Sequence, residues 1–464
     1  MTNKKIFILL PDGIGLRNFA FSNFHKKKKK KFDITFWNNT PFNLTEFGFS
    51  EIIITKSKVH SLSDVLKNAI NQATLLFNKK VENDAVYDSY RFKPNTKSIK
   101  SKLKNFLVNI LIKVGTNKIG ISFLSNCLSK LEQSTPYFKT CKEQLTLHQP
   151  DFVFCTNQRH LSALAPLLAA KKLNIPTATF IFSWDNLPKA TMVVETDYYF
   201  VWSDFMKKEL LKYYPNIKEE QVKITGTPQF ESHYDEENYV TRDAFFEQHN
   251  LDKSKKYICY SGDDITTCPD DETYLEAVAN AVSNLNSKGH NFGIIFRRSP
   301  VDFSDRYNEV LDTFKDIIVP INPKWAKMGV EWNTVLPLKE DNEVLVNTIR
   351  HSEMVINLGS SMVFDYTIFE KPCLYLNYDV VNKKQKDWSV DKIYKFVHFR
   401  SMASKNDVIW INTQTEIEQK IEQALKDYST IATAKKWFER INIQPADKAS
   451  YRIWNEINTI LNNE

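Results

Sequence analysis

Glycine is scarce in this sequence, with 11 residues among 464, well under the usual share of about 7%. Most turns therefore form without glycine, and the places where it does occur are informative. Ligands of open parallel sheets bind at the carboxyl ends of the strands, so glycine turns there are predicted to line one cleft. Ordinary strand-ending turns are the other interpretation. Five glycines directly follow predicted strands: Gly13, Gly15, Gly226, Gly262 and Gly359.

Cysteine is also infrequent, and its spacing lacks the patterns of a disulfide framework or a metal site. The six cysteines form no CxxC pair and have no metal-ligand spacing with any of the nine histidines. This pattern indicates a reduced, cytosolic compartment. We expect neither a bound metal nor a cofactor.

Long apolar runs are missing as well. No stretch approaches the roughly 18 apolar residues that a membrane-spanning helix needs. The short apolar run at 6–10 ends at Pro11, so it predicts a strand rather than an export signal. The chain is therefore expected to be cytoplasmic, either soluble or peripheral at the inner face of the membrane.

The formal net charge of +7 comes mainly from one lysine run. Lys26 to Lys31 contributes six positive charges, and the rest of the chain is nearly balanced at 7 − 6 = +1. A general nucleic-acid role has little support from such a balance. The run follows the helical pattern LRNFAFSNFH and is interpreted as a solvated helix end. Contact with an anionic membrane surface is the alternative.

Several enzyme classes are excluded by missing motifs. The sequence contains no GxxxxGK[ST], no GxGxxG after a strand with an acidic partner, no GxSxG and no HExxH. Phosphate binding without a P-loop lysine favours transfer from a nucleotide-activated donor. We expect this transfer to be metal-independent, because helix N-termini and arginine can stabilise a leaving diphosphate.

Predicted strands and helices alternate in the βαβ manner over most of the chain, which indicates an α/β fold of two Rossmann-like domains facing across a cleft. The first domain is predicted at 1–235, with a helical insertion at about 61–144. The second is predicted at 240–414, and C-terminal helices at 415–464 are expected to fold back on the first. Thirteen strands are predicted, at 5–10, 33–37, 51–55, 152–155, 177–182, 198–202, 221–224, 257–261, 292–296, 317–320, 354–358, 373–376 and 408–411.

The segment MVINLGSSMVFDYTIFEKPCLYLN at 354–377 is predicted as strand, glycine turn, helix and strand. Gly359 permits the turn, and Ser360 and Ser361 offer hydroxyl groups and helix-opening N–H groups that favour a phosphate. Asp365 follows one helical turn later on the same face, where its carboxylate would accept from sugar hydroxyls. This geometry suits a nucleotide diphosphate.

Two further loops are predicted to contribute to donor binding. Ser261, Gly262 and Asp263 end the first strand of the second domain, although a turn that caps the next helix is the other interpretation. Arg297 or Arg298, at the end of an apolar strand, would neutralise phosphate charge with a guanidinium group. A plain surface charge is the alternative for either arginine.

The acceptor side is predicted in the first domain, beginning with the turn PDGIGLRNF at 11–19. Asp12 is the candidate general base, because transfer to a hydroxyl group requires a carboxylate or histidine near the nucleophile. A helix cap is the other interpretation of Asp12. Arg17 and Asn18, in the same turn and helix, are predicted to contact the acceptor.

Two other strand ends supply acceptor candidates. In SWDNLPKA, Trp184 would stack on a sugar face, Asp185 is a second candidate catalytic carboxylate, and Asn186 would bind the acceptor. A buried tryptophan beside an Asx turn is the alternative. TNQRHLSAL adds Arg159 and His160, with a structural histidine as the other interpretation.

Over about residues 180 to 380, these motifs resemble the two-domain glycosyltransferases called GT-B, the fold of UDP-glycosyltransferases and glycogen phosphorylase. GSSMVFD followed by FEKPCLYL is similar to a signature shared by the N-acetylglucosaminyltransferase of peptidoglycan synthesis and by CDP-glycerol glycerophosphotransferases. ITGTPQFE is similar to a segment at the domain junction of these enzymes, and IFRRSPVD to a segment of the glycerophosphotransferase-like group. SWDN is similar to a segment of bacterial envelope transferases. Ser299 stands where the glycerophosphotransferases carry histidine, which departs from their pattern.

The resemblance implies a glycosyltransferase that moves a sugar from a nucleotide diphosphate, with UDP favoured, onto a glycan or lipid-linked acceptor in cell-surface polysaccharide synthesis. Three alternatives remain open: a CDP-glycerol-type phosphotransferase, a UDP-sugar 2-epimerase and a non-catalytic glycan-binding or scaffold relative. The donor sugar, the acceptor and the stereochemical course are not determined by the sequence.

Overall fold

The computed structural model describes residues 3–55, 57–91, 98–328 and 335–463. The chain divides into two compact units. The first comprises Met1–Pro228 and Ile441–Glu464, and the second comprises Gln229–Arg440. The tail predicted at 415–464 is thus shared between the units.

The first unit is built on a seven-stranded parallel sheet with the strand order β3-β2-β1-β4-β5-β6-β7. Its central strands are buried along most of their length, as expected for a parallel sheet covered by helices on both faces. The strands are β1 (Lys4–Leu10), β2 (Phe32–Asn38), β3 (Glu51–Ile53), β4 (Phe152–Cys155), β5 (Thr177–Phe180), β6 (Tyr198–Val201) and β7 (Val222–Ile224).

Nine helices of the described residues belong mainly to this first unit. Five of them lie between β3 and β4, where an insertion was predicted at about 61–144, and among these α2 packs against α4 and α5. No helix among the described residues is long and apolar enough to cross a membrane. The nine are α1 (Ile14–Phe19), α2 (Ser63–Glu82), α3 (Val86–Ser89), α4 (Ile99–Gly115), α5 (Lys118–Gln133), α6 (Pro136–His148), α7 (Leu164–Lys172), α8 (Asp204–Tyr213) and, after the second unit, α17 (Ala449–Asn463).

Helix α1 packs very closely on the sheet, and Gly15 permits this approach. A Cβ atom at Gly15 would lie 2.4 Å from Thr156 Oγ1, next to the end of β4. The absence of a side chain therefore brings the turn after β1 against the turn after β4.

The lysine run does not continue a helix, so the predicted solvated helix end is wrong. Helix α1 ends at Phe19, and turns and bends carry the chain to β2. The reason is tertiary packing. Phe24 is fully buried and stacks on Trp454 of α17 at 4.5 Å, while Trp454 Nε1 donates to the Phe24 carbonyl.

The second unit contains a six-stranded parallel sheet with the order β10-β9-β8-β13-β14-β15. The sheet strands match six predicted strands within a few residues. They are β8 (Lys256–Ser261), β9 (Phe292–Arg297), β10 (Ile318–Pro320), β13 (Val355–Asn357), β14 (Cys373–Leu376) and β15 (Ile409–Ile411). Two parallel α/β sheets confirm the predicted fold class.

A short antiparallel ribbon in the second unit was not predicted. It pairs β11 (Trp325–Lys327) with β12 (Val335–Pro337), each only three residues long and without a distinct alternating pattern. The helices of the second unit are α9 (Arg242–Gln248), α10 (Asp271–Ser287), α11 (Asn308–Thr313), α12 (Asp341–Arg350), α13 (Met362–Ile368), α14 (Val390–Tyr394), α15 (Ile417–Ala424) and α16 (Ser429–Ile441).

Candidate functional site

Three neighbouring strands of the first unit, β1, β4 and β5, end at the same edge of the sheet. The two candidate catalytic carboxylates and most of the predicted acceptor residues lie in the loops that follow these strands. The parallel order therefore brings Asp12, Arg159, His160 and Asp185 into one cluster, although they are far apart in the sequence. We call this set, together with Lys67, the first-unit cluster.

Asp12 is buried at the carboxyl end of β1, between two loops. Its Oδ1 accepts the Ile14 N–H at 3.2 Å, and its Oδ2 accepts a hydrogen bond from Asn157 Nδ2 at 2.7 Å. The bond from Ile14 agrees with a role at the start of α1. The bond from Asn157 has a second effect, because it joins the loop after β1 to the loop after β4.

The charges of the cluster act on one another. Burial raises the pKa of the Asp12 carboxyl to about 6, although the two hydrogen bonds and the positive charges of Arg159 and Lys67 favour its ionised form. Burial lowers the pKa of Lys67 to about 8, and repulsion by Arg159 acts in the same direction. Burial and the same two cations lower the pKa of His160 to about 4. At neutral pH the Asp12 carboxylate therefore lies in one cluster with a neutral imidazole and two cations.

His160 is positioned by a polar chain that leads back to β1. Its Nδ1 lies 2.6 Å from Ser162 Oγ, and this hydroxyl group donates to the Pro11 carbonyl at 3.1 Å. Asn39, after β2, donates from Nδ2 to both Pro11 O and Ser162 Oγ. The imidazole is thereby tied to the loop that carries Asp12.

The SWDN segment forms a second polar network at the end of β5. Asp185 Oδ1 accepts from Ser183 Oγ at 2.6 Å and from Asn186 Nδ2 at 2.8 Å, and Lys189 pairs with Oδ2. Gln158 Nε2 donates to Asn186 Oδ1 at 3.0 Å, which links this network to the β4 loop. Asn186 is thus engaged by protein groups.

Trp184 is buried, in agreement with the interpretation of SWDN as a core tryptophan beside an Asx turn. Of the two acceptor candidates on α1, Asn18 is buried and Arg17 is half-buried. Their predicted contact with an acceptor stays a prediction, as do those of Trp184 and Asn186.

In the second unit, β9, β8 and β13 are neighbours and end at one edge, so the predicted donor loops lie side by side. The turn after β13 is formed by Gly359, with φ of +71°. The Ser360 N–H donates to Asn357 Oδ1 at 2.9 Å, and the Met362 N–H donates to Ser360 Oγ at 3.3 Å. Part of the predicted amide cluster is thus capped by protein, whereas Ser360 and Ser361 remain partly exposed.

Asp365 does not lie on an open face of α13. Its side chain is almost fully buried, and its Oδ1 lies 2.9 Å from His233 Nε2. Phe369 and Phe230 surround the same imidazole. Ribose binding by Asp365 stays a prediction. It would require the carboxylate either to leave His233 or to accept a ribose hydroxyl group while it keeps that contact.

Asp263 belongs to a dense buried network at the end of β8. Burial and the negative charges of Asp271 and Asp264 raise the pKa of Asp263 well above its ordinary value. Asp271 Oδ2 accepts from Tyr307 Oη at 2.6 Å and from the Asp263 N–H at 3.2 Å. Gly262 packs closely against this network, since an added Cβ would lie 3.0 Å from Asp271 Oδ2. Ser261 is buried beside this turn.

The two predicted phosphate-binding arginines occupy different environments. Arg297 is almost fully buried and donates from Nη2 to Asp341 Oδ1 at 2.8 Å. Arg298 is partly exposed and donates to the Ser304 carbonyl at 2.6 Å. Arg297 is thus an internal ion-pair partner, a third arrangement besides the phosphate ligand and the surface charge considered from the sequence.

The hydrogen bond from Asn157 should lower the pKa of Asp12, and this effect gives a direct test of the cluster. We expect Asn157→Ala to raise the pKa of Asp12 further, because the variant loses a donor that stabilises the carboxylate. Carbon-13 NMR of aspartate-labelled protein measures this, with Asp12→Asn identifying the resonance. Ser183→Ala is the control and should leave the Asp12 titration unchanged. An Asp12 pKa that is equal in Asn157→Ala and wild type would contradict the assignment.

Neither a protein-family model nor a curated protein shows a significant match to the sequence. Solved structures do resemble the chain. S. aureus MnaA, in a co-structure with UDP, is 14% identical with a TM-score of 0.54, covering 99% of this chain and 97% of that one. The UDP-GlcNAc 2-epimerase from Methanocaldococcus jannaschii is 14% identical with a TM-score of 0.51, covering 98% and 99%.

A glycosyltransferase from Rickettsia africae ESF-5 is 12% identical with a TM-score of 0.50, and the likeness covers 99% of both chains. At such low identity these likenesses concern the fold. Together with the two parallel sheets, they establish the GT-B fold that the sequence motifs implied.

Proposed function

We propose that the chain is an enzyme acting on nucleotide-diphosphate sugars, and that it transfers the sugar to a hydroxyl group of a glycan or lipid-linked acceptor. A UDP-sugar is the favoured donor, and cell-surface polysaccharide assembly is the favoured process. The observation that carries this proposal is the buried Asp12 carboxyl beside Arg159 and Lys67, at the edge where ligands of parallel sheets bind. Its pKa of about 6 suits a base that works near neutral pH.

In the proposed reaction, Asp12 takes the proton of the acceptor hydroxyl group as its oxygen attacks the anomeric carbon of the donor. The bond from that carbon to the nucleotide breaks, and the nucleoside diphosphate leaves with the bonding electron pair. Lys67 and Arg159 would bind a negatively charged group of the acceptor, such as a phosphate, and His160 would contribute a neutral hydrogen-bonding ring. Asp185 is the second carboxylate of the site.

The donor is assigned to the loops that end β8, β9 and β13. Ser360 and Ser361 would bind phosphate oxygens through their hydroxyl groups and the Ser361 N–H, while Arg298 would contribute positive charge. Burial and the neighbouring carboxylates raise the pKa of Asp263, which favours its protonated form, and in that form it would donate a hydrogen bond to the donor. In this proposal Arg297 and Asp365 support these loops from inside the unit through their pairs with Asp341 and His233.

A UDP-sugar 2-epimerase is the second candidate. It is favoured by the likeness to solved epimerase folds and by the presence of two carboxylates and a histidine in the first-unit cluster. An epimerase needs no acceptor, and it changes the sugar while the nucleotide stays attached. The nature of the products therefore separates the two candidates.

A thermal-shift screen of UDP, CDP, GDP and their sugar conjugates tests the proposal. We expect UDP and UDP-sugars to stabilise the protein by about 2.7 kcal/mol at 100 times their dissociation constant. Products are then separated by chromatography with and without candidate acceptors. Acceptor-dependent UDP release supports the transferase, whereas an epimerised UDP-sugar formed without acceptor supports the second candidate. Release of CMP from CDP-glycerol would contradict both, and so would the absence of any nucleotide effect.

A further inference from the structure

Helix α4 carries an exposed apolar stripe on the surface of the first unit. Its opposite side is buried, since Val108 and Leu111 pack against the core of that unit. The exposed residues recur at the spacing of one helix face, and Leu103 and Phe106 are each 60% exposed. The stripe consists of Ile99, Leu103, Phe106, Leu107, Ile110 and Val114.

Among the residues that the structure describes, helix α4 is capped at its start by its own side chains. Ser98 and Ser101 make a reciprocal capping box, in which the Ser101 N–H donates to Ser98 Oγ at 3.1 Å and the Ser98 N–H donates to Ser101 Oγ at 3.0 Å. The next helix, α5, adds Ile119 and Phe123, which are 83% and 58% exposed. The apolar side chains are thus held in place on a fixed scaffold.

The charged side chains of the segment that carries the stripe all have one sign. Residues 98–131 contain six lysines and neither aspartate nor glutamate. Lys104 pairs with Asp64 of α2. The other five are exposed: Lys100, Lys102, Lys113, Lys118 and Lys130. An apolar stripe bordered by lysines is the pattern of a helix that lies in the interface of an anionic membrane.

We propose that α4 and the start of α5 form a docking surface for an anionic lipid bilayer, with the apolar stripe entering the headgroup region and the lysines contacting lipid phosphates. At 17 residues, α4 is about 25 Å long and lies along the surface rather than across it. A second copy of the chain is the less suitable occupant, because a two-fold contact through this face would bring the two lysine rows together. This proposal does not depend on the catalytic one.

Vesicle co-sedimentation of the full chain tests the proposal. We expect binding to vesicles of phosphatidylglycerol and phosphatidylcholine, and binding at least tenfold weaker to phosphatidylcholine alone. The stripe variant Leu103→Ser/Phe106→Ser/Ile110→Ser should lose at least tenfold in affinity. The charge variant Lys100→Ser/Lys102→Ser/Lys113→Ser should lose about fivefold per lysine, with a strong salt dependence in the wild type.

The matched control replaces three exposed apolar residues elsewhere, Leu147→Ser/Val381→Ser/Tyr451→Ser, and should bind like the wild type. A single Phe106→Trp variant provides a second readout, since its added emission should shift to the blue with anionic vesicles. Unchanged binding by the stripe variant would overturn the proposal. So would loss of binding in a variant with Lys26 to Lys31 replaced by serine while the stripe variant still binds. A wild-type dimer that the stripe variant abolishes, with no vesicle binding, would also overturn it.

Discussion

Replacing Asp12 by asparagine is expected to lower kcat/KM for sugar transfer by about 10²- to 10⁴-fold at pH 7.5, the usual contribution of a general base. Asparagine keeps the shape of the side chain, and its oxygen can still accept the Ile14 N–H. It cannot take a proton from an acceptor hydroxyl group. A discontinuous assay of nucleotide release, at several donor and acceptor concentrations, measures the loss.

The stability of Asp12→Asn should not fall along with its activity. This difference distinguishes a functional carboxylate from a structural one. The pKa of Asp12 is raised from 3.8 to about 6 on folding, so ionising Asp12 destabilises the fold as the pH rises from about 4 to about 6. Above that range the cost is about 3 kcal/mol. Asp12→Asn removes this cost and loses one hydrogen bond from Asn157, worth about 1 kcal/mol.

The thermal midpoint of Asp12→Asn at pH 7.5 should therefore be no lower than that of the wild type. The control is Asp33→Asn, an exposed carboxyl at the opposite end of β2 in the same sheet, for which activity should be unchanged. A variant at Asp12 that is unstable and fully active when folded would assign the residue to structure alone.

Replacing Asp341 by alanine is expected to lower the free energy of unfolding of the second unit by about 3–5 kcal/mol. Its carboxylate accepts from Arg297 Nη2, from the Lys324 N–H and from Trp325 Nε1, each at 2.8 Å. Both charged side chains are almost fully buried. Removal of Asp341 leaves the Arg297 guanidinium buried without its counter-ion, which is the costly case.

Denaturant unfolding measures the effect, with Asp391→Ala as the matched control. Asp391 pairs with Lys395 on the surface, where both side chains are 68% exposed, and its loss should cost less than about 1 kcal/mol. The double variant Arg297→Met/Asp341→Leu should recover part of the stability, because two apolar side chains can replace a buried ion pair, while the Lys324 N–H and Trp325 Nε1 still lose their acceptor. A loss below 1 kcal/mol for Asp341→Ala would contradict the assignment.

The double variant also decides between two roles of Arg297. If Arg297 only supports the loops, the variant should bind UDP as the wild type does. If the guanidinium also contacts donor phosphate, UDP binding should weaken while the fold remains stable.

Much of the architecture was predictable because parallel α/β sheets follow simple rules. Apolar runs that end in polar loops identified the strands, and the parallel order then placed the loops with Asp12, Arg159 and Asp185 at one edge. Polar residues directly after a strand, as in TNQRH, were the useful signal. Asn157 and Gln158 lie in that same segment and carry the same signal, although neither was predicted as a site residue.

Other features depend on packing that no local pattern reveals. Lys67 lies on α2 within the helical insertion, and only the tertiary fold brings it to Asp12. The same is true of His233, which meets Asp365 from a distant part of the chain. Helical periodicity placed Asp365 on a face, but it could not show that this face is internal.

The pH dependence of the reaction rate is the sharpest check on the role of Asp12 as the general base. Nucleotide release from a UDP-sugar with acceptor would be measured from pH 5 to 9 for the wild type and for Asp12→Asn. We expect the wild-type kcat/KM to rise with pH through a limb near pH 6, as Asp12 loses its proton, and we expect Asp12→Asn to lack this limb. An identical limb and an equal rate in Asp12→Asn would contradict it.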